Sequence, residues 1–188
     1  MNSELLMNAA TVFLMLFGII AAVDGLYFHL WKYRLYAQPD SIYEHKLHTA
    51  QGILFIPILF FLFYANFGGL ALWAGMLFLL VETAVEIMDV LSENDSRAAL
   101  GGLSSIEYAM HALAIMFRTF AIALALAVKP LSAWSLSSPI LLNEQFQFAS
   151  SVAFNTIIGN VLVVALHFWL MREKYRSNVR LLPVRACC

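Results

Sequence analysis

The sequence predicts an all-α, polytopic membrane bundle of five transmembrane helices. Its first four helices read as a pseudo-twofold repeat of helical hairpins, helices 1–2 and helices 3–4. Three observations predict this fold. Apolar residues make up 62% of the chain and charged residues only 12%. They gather into five segments long enough to cross a ~30 Å hydrocarbon core at ~1.5 Å per residue. A set of polar residues then recurs at a fixed spacing within those segments.

The predicted helices run over about 5–31, 42–64, 70–91, 103–128 and 146–171. Between them stand Gln38-Pro39-Asp40-Ser41, Asn66-Phe67-Gly68-Gly69, Gly101-Gly102 and Lys129-Pro130, residues that start turns or break helices. Soluble helices keep a polar face, and most of these do not. The first segment has Glu4 as its only early charge and exceeds the length of a signal-peptide core, so it reads as a span. Residues 1–172 form one transmembrane domain, and 173–188 form a basic tail.

Orientation follows from Lys and Arg, which favour the cytoplasmic side. Lys32, Arg34, Arg97, Arg172, Lys174, Arg176, Arg180 and Arg185 fall on one side, and Lys129 falls on the other. The expected topology is N-terminus outside and C-terminus cytoplasmic. The 130–145 loop is then external, with Leu131, Trp134, Ile140 and Leu141 on the membrane surface. No basic stripe points to nucleic acid. Cys187 and Cys188 end the chain, where a structural disulfide is not expected; whether they carry lipid is left open.

The polar residues converge on this topology. Asp24 and His29 end helix 1, and Glu44, His45 and His48 open helix 2. Glu82, Glu86 and Asp89 end helix 3, Glu107 and His111 open helix 4, and His167 ends helix 5. All are expected at one depth, near the cytoplasmic leaflet. Residues four apart share a helix face, so Glu44/His48 and Glu107/His111 each form a pair, and Glu82, Glu86 and Asp89 form a stripe. A shift of 63 residues aligns Arg34 with Arg97, Ser41 with Ser104, Glu44 with Glu107 and His48 with His111; Asp24 meets Glu86 after a one-residue gap. This is the internal repeat.

Isolated carboxylates in hydrocarbon stay protonated or find a cation. Asp24, Glu44, Glu86 and Glu107 would bring about four negative charges, which two divalent ions offset. His48 and His111 then give one nitrogen to each ion. Asp89 is a further ligand candidate. His45, turned about 100° from Glu44 on a helix, lies at the edge of the set. Nitrogen and oxygen donors without thiolate suit iron, manganese or zinc.

This pattern resembles the ferritin-like di-iron carboxylate site, which takes a carboxylate from each of two helices and a Glu-x-x-His from each of two others. Asp24 and Glu86 match the single carboxylates, and Glu44/His48 and Glu107/His111 match the paired motifs. The resemblance covers Asp24 to His111. It differs in the Glu-x-x-x-His spacing, in the Asp of helix 1 and in crossing a membrane. It implies two transition-metal ions, with iron preferred. Haem on His48 and His111 is the runner-up, disfavoured by the surrounding carboxylates.

Other polar residues have two readings each. Arg118 either pairs with Glu82 or meets a substrate head group. Tyr27 either sits in the interfacial aromatic belt or donates protons or electrons beside the metal. Tyr27, Glu82 and Arg118 are the candidate catalytic residues. Asn155, Asn160 and His167 read as interhelical hydrogen-bonding groups, with His167 an additional ligand candidate. His29, turned about 140° from Asp24 on an α-helix, reads as interfacial. Arg34 and Arg97, each ten residues before a Glu, read as loop anchors or as supports behind the metal ligands.

The expected function is a membrane metalloenzyme that oxidises a lipid-soluble small molecule with oxygen, either as a homo-oligomer or with an electron-donor partner. Three alternatives remain. They are a zinc-dependent lipid hydrolase, a metal-ion or proton transporter, and an accessory subunit. Against transport, only Tyr64 and Asn66 bear polar side chains between Ile53 and Trp73.

Overall fold

A computed structural model describes residues 2–176. Arg180, Arg185, Cys187 and Cys188 lie outside the described residues. Helix α1 (Ser3–Ala22) opens on Asn2, whose side chain accepts from the backbone N–H groups of Glu4 and Leu5. It continues without a break as a π-helix over Val23–Lys32. Two short 3-10 turns, Leu35–Ala37 and Pro39–Ser41, lead into α2 (Ile42–Leu59), which also ends in a π-helical stretch, Phe60–Tyr64. Helix α3 spans Gly69–Ala98, α4 spans Ser105–Ala127 and α5 spans Gln147–Leu170. No strands occur among the described residues. The stretches Ser3–Lys32, Pro39–Tyr64, Gly69–Ala98, Ser105–Ala127 and Gln147–Leu170 are each long and apolar enough to cross a membrane.

Helix α3 extends well past the expected end near residue 91. Its last turns, from Ser92 to Ala98, carry Glu93 and Arg97 inward, and both are buried. Inter-helix bonds hold those turns in place of hydrocarbon: Arg97 reaches the start of α2, and the Ser41 hydroxyl donates to the Ser96 carbonyl at 2.9 Å.

Helix α1 packs on α4, α2 packs on α3, and α5 packs against α2 and, less extensively, α1. Contacts between Asp24 and His111, and between Arg97 and Glu44, join the end of the first helix to the start of α4 and the end of α3 to the start of α2. Successive helices therefore alternate in direction, and their polar termini meet at one end. The opposite half is filled by an apolar core that includes Met7, Leu14, Phe55, Ile58, Leu62, Phe63, Leu72 and Ala121. Leu80, Leu91, Ile106 and Leu162 stand exposed on the outer faces. Such apolar exposure exceeds what a soluble monomer presents.

The loops at the apolar end are closed by polar bonds. Lys129 Nζ donates to Asn66 Oδ1 at 2.7 Å and to the Phe67 carbonyl at 3.1 Å. Asn66 Nδ2 donates to the Glu144 carbonyl, and Trp73 Nε1 donates to that of Trp134. Gly69 sits at φ +55, where a Cβ would meet the Ser138 carbonyl oxygen at 2.6 Å, so any side chain there strains the turn. Leu131, Ile140 and Leu141 are exposed; Trp134 is half-buried against Trp73, with ring centroids 5.8 Å apart.

Candidate metal centre

The π-helix determines who meets whom at the polar end. Its backbone bonds close at i+5, as from the Tyr33 N–H to the Phe28 carbonyl at 2.9 Å, so residues five apart approach one face. His29 therefore turns back over Asp24, with Nε2 3.4 Å from Oδ2. Both are buried. The α-helical expectation of an outward His29 is corrected by this local winding.

His29 lies at the middle of the cluster. Its ring meets His48 at 4.4 Å and His111 at 5.8 Å between centroids, both edge to face. Two donor groups share it: Asp24, His29 and His111, and His29, Glu44 and His48. Within each group the ligand atoms lie within 4.8 Å of one another. His111 Nε2 stands 3.1 Å from Asp24 Oδ2, and Nδ1 stands 2.9 Å from Glu93 Oε1. His48 Nε2 is 3.6 Å from Glu44 Oε1 and 3.4 Å from Asp89 Oδ2. Gln51 Nε2 donates to Asp89 Oδ2 at 3.1 Å.

These approaches are close, but many are poorly directed for hydrogen bonds. Asp24 Oδ1, His29 Nε2, Glu44 Oε1, His48 Nε2, Asp89 Oδ1 and His111 Nδ1 are buried without a hydrogen-bond partner. Buried polar atoms normally have partners. Lone pairs from several helices converging without them are what a cation would satisfy.

The other predicted ligands are engaged elsewhere. Glu107 accepts from Ser104 Oγ at 2.9 Å in a capping box at the start of α4 and meets Arg97 Nε at 3.4 Å. Arg97 Nη1 donates to Glu44 Oε2 at 2.8 Å. Arg97 is fully buried against Glu44 and Glu107, which fits a support behind the ligands better than a loop anchor, whereas Arg34 is exposed, with a left-handed φ of 50. Glu86 and Glu82 both receive hydrogen bonds from Arg118, deeper in the bundle.

His45 faces away from the donor groups and stacks on His167, with centroids 4.5 Å apart. The Thr49 hydroxyl donates to the His45 carbonyl at 2.8 Å. A hydroxyl has one proton, so the 3.1 Å contact with His167 Nδ1 has the ring donating. Asn160 Nδ2 donates to the Gly52 carbonyl at 2.7 Å, also tying α5 to α2. Tyr27 lies on the outer face, 45% exposed, against Phe28 and Trp31. Tyr108 is likewise exposed.

The sequence reading leaves out Glu93 and makes His29 interfacial. Glu93 was readable, since it continues the Glu82, Glu86, Asp89 stripe by one more turn. Nothing in the residue pattern announces the π-winding that turns His29 inward.

Five buried carboxylates (Asp24, Glu44, Asp89, Glu93 and Glu107) gather at the polar end with one guanidinium, that of Arg97, which meets Glu44 and Glu107. With neutral imidazoles this leaves four negative charges in a buried volume, which is the charge of two divalent cations. The protein family models, curated proteins and solved structures compared with this chain yield no match.

Proposed function

We propose that this chain is an integral membrane metalloenzyme with a dinuclear histidine/carboxylate centre, acting on a lipid-soluble substrate. The observation that carries the reading is the pair of donor groups meeting at His29, with their buried lone pairs unpartnered. One ion would take Asp24 and Nε2 of His111, with Glu93 orienting that ring from its Nδ1 side; the other would take Glu44, His48 and Asp89, with His29 between them. Iron is the preferred metal, and it would supply oxygen activation for oxidation of the substrate.

The chain's own residues hold this arrangement. Arg97 binds one oxygen of Glu44 and leaves Oε1 free toward His48. Gln51 orients Asp89, the kind of support that fixes ligand direction. Placement within hydrophobic spans suits a hydrophobic substrate. The apolar core filling the other half, and Arg118 holding both Glu82 and Glu86, oppose a continuous cation route and so favour an enzyme over a transporter.

The packing also supports the hairpin repeat. Exchanging hairpin α1–α2 with α3–α4 maps the α1/α4 contact onto the α3/α2 contact. Glu44 and Glu107, equivalent under the 63-residue shift, meet the same Arg97. The positive-inside distribution supports a cytoplasmic polar end.

Elemental analysis of purified protein tests the reading. About two transition-metal ions per chain are expected. Protein that stays metal-free after incubation with iron, manganese or zinc, yet is folded, would sink it.

A further inference from the structure

A cleft of about 490 Å3 opens beside the centre, between the start of α2 and the last turns of α3. Its size is in the range of small-molecule sites, ~300–1,000 Å3. Glu44, which belongs to one donor group, lines it. That carboxylate is completely buried, and its Oε1 has no hydrogen-bond partner. The inner wall of the cleft thus includes a candidate metal ligand, whose free oxygen is directed toward His48.

The rest of the lining specifies what would enter. Met88 and Leu91, one turn apart on α3, and Tyr43 across from them on α2 form an apolar wall. They are 47%, 75% and 48% exposed, so the wall runs out onto the lipid-facing surface of the bundle. Asp40 and Asp95 also line the cleft and are exposed. Neither has an ion-pair partner among the described residues. Ser92 and Ser96 add hydroxyls.

One apolar row leading to unpaired carboxylates, at the end of membrane-length helices, matches one chemistry. We propose that the cleft binds a single-chain amphiphilic amine drawn from the membrane. Its ammonium would sit between Asp40 and Asp95, and its chain would lie along Met88 and Leu91. An anionic head group is repelled by the same two carboxylates. A bare metal ion leaves the apolar wall unused. The arrangement brings the head-group end of the molecule, rather than its tail, to the Glu44 side. Any reaction of the bound amine at Glu44 rests on the metalloenzyme reading, whereas its binding does not.

The test uses the full chain in nanodiscs of zwitterionic lipid. The probes are a diazirine-bearing long-chain alkylamine and the alkyl sulfate and alcohol of the same length. The amine is expected to label the α3 segment around Met88–Ser96 saturably and at least tenfold more tightly than the sulfate. An Asp40→Asn/Asp95→Asn variant should lose that preference while keeping its affinity for the alcohol. An Asp40→Asn/Asp95→Lys variant should reverse the preference toward the sulfate. Equal labelling by amine and sulfate, or amine affinity unchanged in the double variant, overturns the proposal. Metal content measured on the same samples separates the two readings. Intact metal without amine preference removes the cleft proposal alone, and amine preference in metal-free protein upholds it while removing the metal centre.

Discussion

Arg97 Nη1 donates to Glu44 Oε2 across 2.8 Å, with both side chains fully buried. The same guanidinium reaches Glu107 at 3.4 Å, so one cation ties the end of α3 to the starts of α2 and α4. Charges so far from water are tolerated only when paired. Arg97 thus has two tasks: it closes the polar end, and it fixes which oxygen of Glu44 stays free.

Replacing Arg97 with Met should therefore destabilise the protein by about 3–5 kcal/mol, because two buried carboxylates lose their partner. Adding Glu107→Gln to that variant should recover part of the loss, making the two changes non-additive. Thermal unfolding in detergent, followed by circular dichroism, measures both. Additive losses would mean that the two groups do not share the guanidinium.

Metal stoichiometry should separate His29 from Glu107. His29 stands in both donor groups, so His29→Ala is expected to reduce content at both positions, from about two ions to one or fewer. Glu107 is occupied by Ser104 and Arg97, so Glu107→Gln should keep its metal. It should instead lose about 1 kcal/mol of stability through the weakened cap. Elemental analysis decides, and full metal in His29→Ala with none in Glu107→Gln would reverse the assignment.

These two residues also mark what the sequence could disclose. The five apolar helices were legible, because hydrocarbon length imposes a count of residues that composition displays directly. Convergence of the polar termini was legible too, since alternating helices must bring those ends together. Which carboxylate meets which cation was not. Glu107 satisfies the same spacing rule as Glu44, yet its carboxylate is taken by Ser104 in the helix cap, and Glu86 is held by Arg118 of another helix. The first outcome is set by the local cap and the second by packing, neither by that spacing. His29 was hidden for a different reason: helix periodicity assumes α-winding, and ten residues here wind as a π-helix.

The deeper ion group has a structural test. Arg118 pairs with Glu82 and Glu86 in one apolar layer. Arg118→Leu should cost about 3–5 kcal/mol, whereas replacing all three by Leu should be roughly neutral or stabilising, as for other buried ion triads. Metal content should stay at the wild-type level in the triple variant, because neither glutamate belongs to a donor group. Loss of metal on that replacement would place Glu86 in the centre after all.

Lys129, at the other end of the molecule, should make stability depend on pH. Burial of this residue, 6% exposed, lowers its pKa from its ordinary 10.5 to about 8, although Asn66 and Phe67 accept hydrogen bonds from it. Between about pH 8 and 10.5 the folded protein has released this proton while the unfolded chain still holds it. The unfolded state then binds more protons, so this group makes stability rise with pH across that window. Below about pH 8 both states carry the charge, and the contribution is flat. The full gain is at most ~3 kcal/mol, at ~1.4 kcal/mol per pH unit. Lys129→Met lacks the titrating group, so its stability should fall progressively behind the wild type from about pH 8 to 10. The two proteins should be compared by unfolding temperature at half-unit pH steps. Parallel curves would show that Lys129 keeps its ordinary basicity and that its pairing with Asn66 offsets the burial.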